Sequence, residues 1–129
     1  MSSLKVLFPL LLTASLAACA GLQSPPKSRS STAVPITCAS AKSCESMWIA
    51  AGDALQNSSG MKLRLVTESR LETFTENNYG RMLGTATKRP MPDGSYQIVA
   101  SFSRYSYPGC DADYAAYEFN ALVNMAGSR

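Results

Sequence analysis

The side chains able to do chemistry in this chain are few and widely spaced. There are four cysteines, Cys19, Cys38, Cys44 and Cys110, and no histidine. The lack of histidine excludes Ser-His-Asp and Cys-His nucleophilic schemes and every histidine-ligated metal site. Carboxylates and thiols remain. Glu68 and Glu72 are candidates for a two-carboxylate hydrolytic pair. Arg70 between them makes a solvated, ion-paired hairpin end the plainer reading. Cys38, Cys44 and Cys110, with Asp111 and the methionines, are candidate ligands for a soft metal such as copper(I), although their spacing matches no strong metal motif. Gly80-Arg81-Met82-Leu83-Gly84 lacks the rest of a phosphate-binding fingerprint. Tyr105 and Tyr107, with Tyr79, sit in loop-like sequence close to Arg81 and Arg104. Arg81, Arg104, Tyr105 and Tyr107 are therefore the candidate binding patch, because Tyr and Arg contribute most when desolvated at an interface. The competing reading is partial burial of these rings against a helix.

Cys19 is set apart by what precedes it. Lys5 gives a positive start, and Val6 to Ala18 is apolar apart from Thr13 and Ser15, with Pro9 inside. That run suits a signal peptide and is short of the ~20 residues needed to span a bilayer. Leu16-Ala17-Ala18-Cys19 resembles the lipobox of bacterial lipoprotein signal peptides. The resemblance implies a diacylglycerol on the Cys19 thiol, cleavage just before it, and acylation of the new N-terminus. An ordinary secretory signal cut nearby and an uncleaved anchor are the competing readings. Ala20, not Asp, follows the cysteine, which within that family implies the outer membrane, here with a periplasm-facing domain. The membrane is then the first partner, held through the lipid on Cys19. One acyl chain binds reversibly at about 0.8 kcal/mol per buried methylene, and two or three make attachment effectively permanent.

On this reading residues 1–18 are the signal, 19–42 a lipidated tether, and 43–129 one small domain. The tether carries Ser24-Pro25-Pro26-Lys27-Ser28-Arg29-Ser30-Ser31-Thr32 and then Pro35. Ser and Pro dominate, so the stretch is expected to stay extended or disordered. From Ser43 onward the chain has a net charge of −1, and the positive charge of the whole chain comes from the signal and tether. A nucleic-acid partner is not expected, since the folded part has no basic excess. Export places the thiols in an oxidising compartment, where a small domain gains from a staple. Cys44–Cys110 is the preferred bridge, joining the starts of the first and last helices. Cys38–Cys110 and the short-loop Cys38–Cys44 remain open.

The elements that must position these groups follow from periodicity. Ser43 is the expected cap of a first helix, with Glu45 in its first turn and Met47, Trp48, Ala51 and Leu55 on its core face. Gly60 ends it. Met61 to Thr67 and Leu71 to Thr75 alternate as strands around a Glu68-Ser69-Arg70 turn. Arg81 to Lys88 is a weaker strand, Pro90 to Gly94 a turn, and Ser95 to Arg104 a strand facing Tyr96, Ile98, Ala100 and Phe102 inward. Asp111 or Asp113 caps a last helix, whose stripe of Tyr114, Tyr117, Ala121 and Met125, widened by Leu122 and Phe119, is expected to face the core. The fold expected is α+β: a two-layer sandwich of helix, four-stranded antiparallel meander and helix.

Cys44-Glu45-Ser46-Met47-Trp48 with Ala51, Ser59-Gly60-Met61-Lys62-Leu63, Leu71-Glu72-Thr73-Phe74 and Phe119-Asn120 together resemble a family of small uncharacterised proteobacterial envelope lipoproteins. That family often carries two cysteines near the end of the sheet, where this chain has only Cys110. The resemblance implies no activity. The function expected is a lipid-anchored binding or interaction module with an envelope protein or cell-wall partner and no cofactor. The competing classes are a small envelope enzyme using carboxylates or a thiol, and a soft-metal carrier.

Overall fold

The computed structural model describes residues 29–74, 82–104 and 111–128. Its elements in chain order are β1 (Ser30–Thr32), β2 (Ile36–Cys38), α1 (Ala41–Ser59), β3 (Leu63–Val66), β4 (Arg70–Thr73), β5 (Met82–Pro90), β6 (Tyr96–Arg104) and α2 (Ala112–Gly127). The strands form one antiparallel sheet in the order β1-β6-β5-β4-β3, with β2 also paired to β6. Both helices lie on one side of it, α1 over β5 and α2 over β6 and β1, and they pack against each other. The chain is an α+β two-layer sandwich, and the expected meander is present as β3-β4-β5-β6.

The sheet continues beyond that meander into the expected tether. Residues 30–38 form the edge strands on β6, and α1 starts at Ala41, not after Lys42. Composition alone predicts disorder there, but β6 offers an unpaired edge and Ile36 and Cys38 bury their side chains beneath the helices. Ala33, Val34 and Pro35 lie between the two short strands, where three residues face two of β6. This is a bulge on an edge, where a proline costs the ladder least. The Ala33 N–H still reaches Ala100 O at 2.7 Å.

Helix α1 is capped by Ser40, one turn before the expected Ser43. Ser40 Oγ accepts from the Ser43 N–H, and the Ser43 hydroxyl reaches back to the Ser40 N–H, completing a capping box. Met47, Trp48, Ala51 and Leu55 are buried as expected. Gly60 closes the helix at φ 72, its N–H bonded to Gln56 O at 2.9 Å.

Helix α2 corrects a sequence expectation. Asp111 caps it, but its buried stripe is Ala112, Ala115, Ala116, Phe119 and Val123. Tyr114, Tyr117, Ala121 and Met125 point outward. Small alanines win the core face because α2 lies close against β6 and α1, leaving room for one large ring. Phe119 takes it, edge-on to Phe102 at 6.0 Å between centroids.

Close approach also governs α1. A Cβ on Gly84 would stand 2.9 Å from Leu55 Cδ1 and 3.3 Å from the Phe102 ring. Buried Thr73 beside it accepts the Gly84 N–H on its hydroxyl at 2.9 Å, where the β4–β5 ladder ends. Gly84→Ala is therefore expected to destabilise the domain by about 1–3 kcal/mol, read from urea unfolding midpoints. A neutral result would show that Leu55 swings aside.

The disulfide joins Cys38 to Cys44, with Cα atoms 5.2 Å apart. This corrects the preferred Cys44–Cys110 pairing, and Cys110 lies outside the described residues. The reason is topological: pairing with β6 holds the end of β2 against the first turn of α1, so the nearest thiols meet. Cys38→Ala with Cys44→Ala is expected to cost roughly 2 kcal/mol or more. Peptide mapping without reductant should return the Cys38–Cys44 pair.

Candidate functional site

The chemistry gathers at one end of the sandwich, where α1 begins and two hairpins turn. The turn from Thr67 to Arg70 is fixed by the Thr67 hydroxyl, which accepts the N–H groups of Ser69 and Arg70. The Trp48 indole N–H donates to Thr67 O at 3.1 Å, tying the turn to α1. The Lys88 N–H donates to Ser69 O at 2.8 Å, tying it to β5. On the far side the Asp93 carboxylate accepts both the N–H and the hydroxyl of Ser95, shaping the β5–β6 hairpin. The Ser95 hydroxyl and N–H hold the Asp93 carboxyl below its usual range.

Between these turns lies a cavity of about 270 Å³ lined by Ala41, Cys44, Glu68, Ser69, Lys88, Pro90 and Tyr96. The Lys88 ammonium stands 5.4 Å from the Trp48 ring centroid and 6.0 Å from that of Tyr96. Both rings turn a negative face to it. No carboxylate among the described residues pairs with Lys88. Ala41, in the first turn of α1, adds the positive end of a helix dipole to the same wall. The buried Cys38–Cys44 bridge lies behind it and fixes that turn. The niche thus combines a cation already seated on aromatic faces, an opposite charge at Glu68, and an apolar wall. It is suited to holding a carboxylate, with a donor group turned to Glu68.

The open face of the sheet is a different surface. Thr85 and Thr87 of β5 pair with Ser101 and Val99 of β6, and Thr32 of β1 follows with its hydroxyl 3.0 Å from Ser101 Oγ. Arg70 and Glu72 of β4 share this face, and Glu72 is forked between Arg70 Nε and Arg64 Nη2. The hydrogen bond from Arg70, reinforced by the charges of Arg70 and Arg64, lowers the Glu72 pKa. Glu68 and Glu72 therefore share no site: one lines the niche, the other is held by two guanidiniums on the open face.

Cys38 and Cys44 are joined, so neither thiol is available as a soft-metal ligand. Among the described residues no group of three metal-ligating side chains is assembled. Arg104 ends β6 opposite Met82, and its N–H bonds Arg29 O at 2.8 Å. Arg81, Tyr105 and Tyr107 lie outside the described residues, as does Cys19. Sequence reasoning passed over Lys88 and Tyr96 as ligand groups. The signal was present: Met82, Gly84, Ala86 and Lys88 share one parity, so a lysine falls in line with the core-facing set.

No protein-family model matches this chain, and no curated protein or solved structure matches it either.

Glu72 supplies a pH dependence with a definite sign. Its pKa is lower folded than unfolded, so its stabilising contribution is present above the ordinary carboxylate value of 4.5 and is lost as pH falls through the folded value. Chemical denaturation followed from pH 7 to pH 3 should show an acid-side loss of stability that shrinks in Glu72→Gln. An unchanged acid limb would mean that the fork contributes nothing.

Proposed function

We propose that this protein is a lipid-anchored envelope module that captures a carboxylate-bearing, peptide-like ligand of the cell wall in the niche beneath Trp48, Lys88 and Tyr96. The observation that carries the reading is Lys88. Its ammonium is seated on two aromatic faces, opens onto a cavity of about 270 Å³, and has no carboxylate of the chain as a counter-ion among the described residues. A half-buried cation of this kind gains most from an incoming anion. The envelope setting is supported by the Leu16-Ala17-Ala18-Cys19 sequence, which fits lipidation and outer-membrane retention with the domain facing the periplasm. Among the described residues no helix is long and apolar enough to cross a membrane, so attachment on this reading rests on the acylated Cys19. The likeness of Cys44 to Trp48 and of Phe119-Asn120 to small envelope lipoproteins points the same way.

Trp48 is the single tryptophan of the chain and its ring lies 5.4 Å from the Lys88 ammonium, so its fluorescence reports on that cation. An N-acetylated dipeptide with a free C-terminal carboxylate should change Trp48 emission in a saturable way. The same dipeptide as a C-terminal amide should not. Lys88→Met, which keeps the stem and removes the charge, should weaken the carboxylate by about tenfold, as expected of one charge-assisted contact. Equal responses to acid and amide, or full affinity in a folded Lys88→Met, would overturn the assignment.

A further inference from the structure

The outward stripe of α2 is unlike the rest of the helical layer. Tyr114 is 61% exposed, Tyr117 72% and Met125 58%, with exposed Ala121 between them. They recur along one side of the helix, opposite the alanine stripe that packs on the sheet. Val34, 75% exposed, extends the patch at the neighbouring edge, where Asn120 Nδ2 donates to Val34 O at 2.9 Å. The exposed side of α1 is mostly polar by comparison, with Lys42, Glu45, Ser46, Asp53 and Asn57 around one exposed Ile49. An apolar, tyrosine-bearing row on an otherwise solvated helix marks a covered surface.

What covers it is indicated by where the chain enters the domain. Arg29 is the first described residue, and its carbonyl is bonded by Arg104 at the end of β6. It leads into β1, the edge strand that α2 packs on. Ten residue steps lead from the start of the mature chain at Cys19 to this point. Fully extended they reach roughly 35 Å, about the width of a domain this size. Because the chain enters at the α2 edge, that edge reaches the bilayer without the tether having to cross the domain. Tyrosine suits such a place, with an apolar ring for the acyl boundary and a hydroxyl for the headgroups.

We infer that the Tyr114–Tyr117–Ala121–Met125 face of α2, with Val34, rests on the lipid surface to which the chain is anchored. This rests on the lipidated-Cys19 part of the proposed function. The surface it fits is zwitterionic. Asp113 and Glu118 border the stripe and α2 holds no lysine or arginine, so anionic headgroups repel the helix face itself; Arg29 and Arg104 lie off it, at the chain entry. Tethering raises the effective concentration of the bilayer, so a weak intrinsic affinity suffices to hold the face down. The docked domain then presents its open sheet face away from the membrane.

The test uses the full chain purified from membranes, its intact mass recording acylation, and reconstituted into zwitterionic vesicles with brominated acyl chains. Tyr117→Trp places a reporter on the stripe. Val66→Trp places one on β3, at the opposite edge of the sheet. Bromine should quench the Tyr117→Trp signal at least twofold more than that of Val66→Trp. The quenching should fall as anionic lipid replaces zwitterionic lipid. An acylated chain whose two reporters are quenched alike overturns the inference alone. A mass without acyl groups overturns the anchor and this inference together. Sedimentation of detergent-solubilised protein as a dimer that Tyr114→Ser with Tyr117→Ser converts to monomer also overturns it, giving the stripe to a second copy of the chain.

Discussion

Everything in this domain is set at the height at which α1 meets the sheet. Leu55 can descend onto β5 only because Gly84 has no side chain, and Phe102 closes the contact from β6. That seating fixes the register of helix on strand. Two turns back along α1 from Leu55 comes Trp48, and four residues along β5 from Gly84 comes Lys88. The helix and the strand run in opposite directions, so the ring and the ammonium arrive at the same end of the sandwich, 5.4 Å apart. A packing contact between apolar groups thus determines where the one core-facing lysine of β5 finds its aromatic support.

The same end is braced from three directions. The Trp48 indole holds the Thr67 carbonyl, the Lys88 N–H holds Ser69, and the Cys38–Cys44 bridge fastens the end of β2 to the first turn of α1. Each brace comes from a different element, so the cavity walls do not depend on a single loop. Such a site is pre-formed, and a ligand entering it has little ordering to drive.

Charge divides along the layers. The open sheet face carries Arg64, Arg70 and Arg89, with Glu72 consumed between the first two. The helical layer carries exposed Glu45, Asp53 and Asp113 against one exposed lysine, Lys42. The near-zero net charge of the folded part therefore conceals two faces of opposite sign.

By itself the sequence determined the local elements. Tyr96, Ile98, Ala100 and Phe102 at every second position specify a half-buried strand even with Val99 on the other face, and Gly60 ends α1 because glycine takes its left-handed turn without strain. The core face of α1 was legible because its large apolar side chains, Met47, Trp48 and Leu55, gather on one side, with Ile49 alone outside it. On α2 they do not: alanines and Phe119 occupy one side, tyrosines and methionine the other, and hydrophobicity alone favours the larger side chains. Tertiary structure decided that case by volume, since close packing on β6 and α1 admits alanine and excludes two tyrosines. It decided the disulfide by strand pairing, which brings Cys38 beside Cys44 across a break that composition reads as linker. It decided the niche by bringing residues 41, 48, 68, 88 and 96 together. No periodicity within one element encodes that meeting, because it depends on how deeply one helix sits on one glycine.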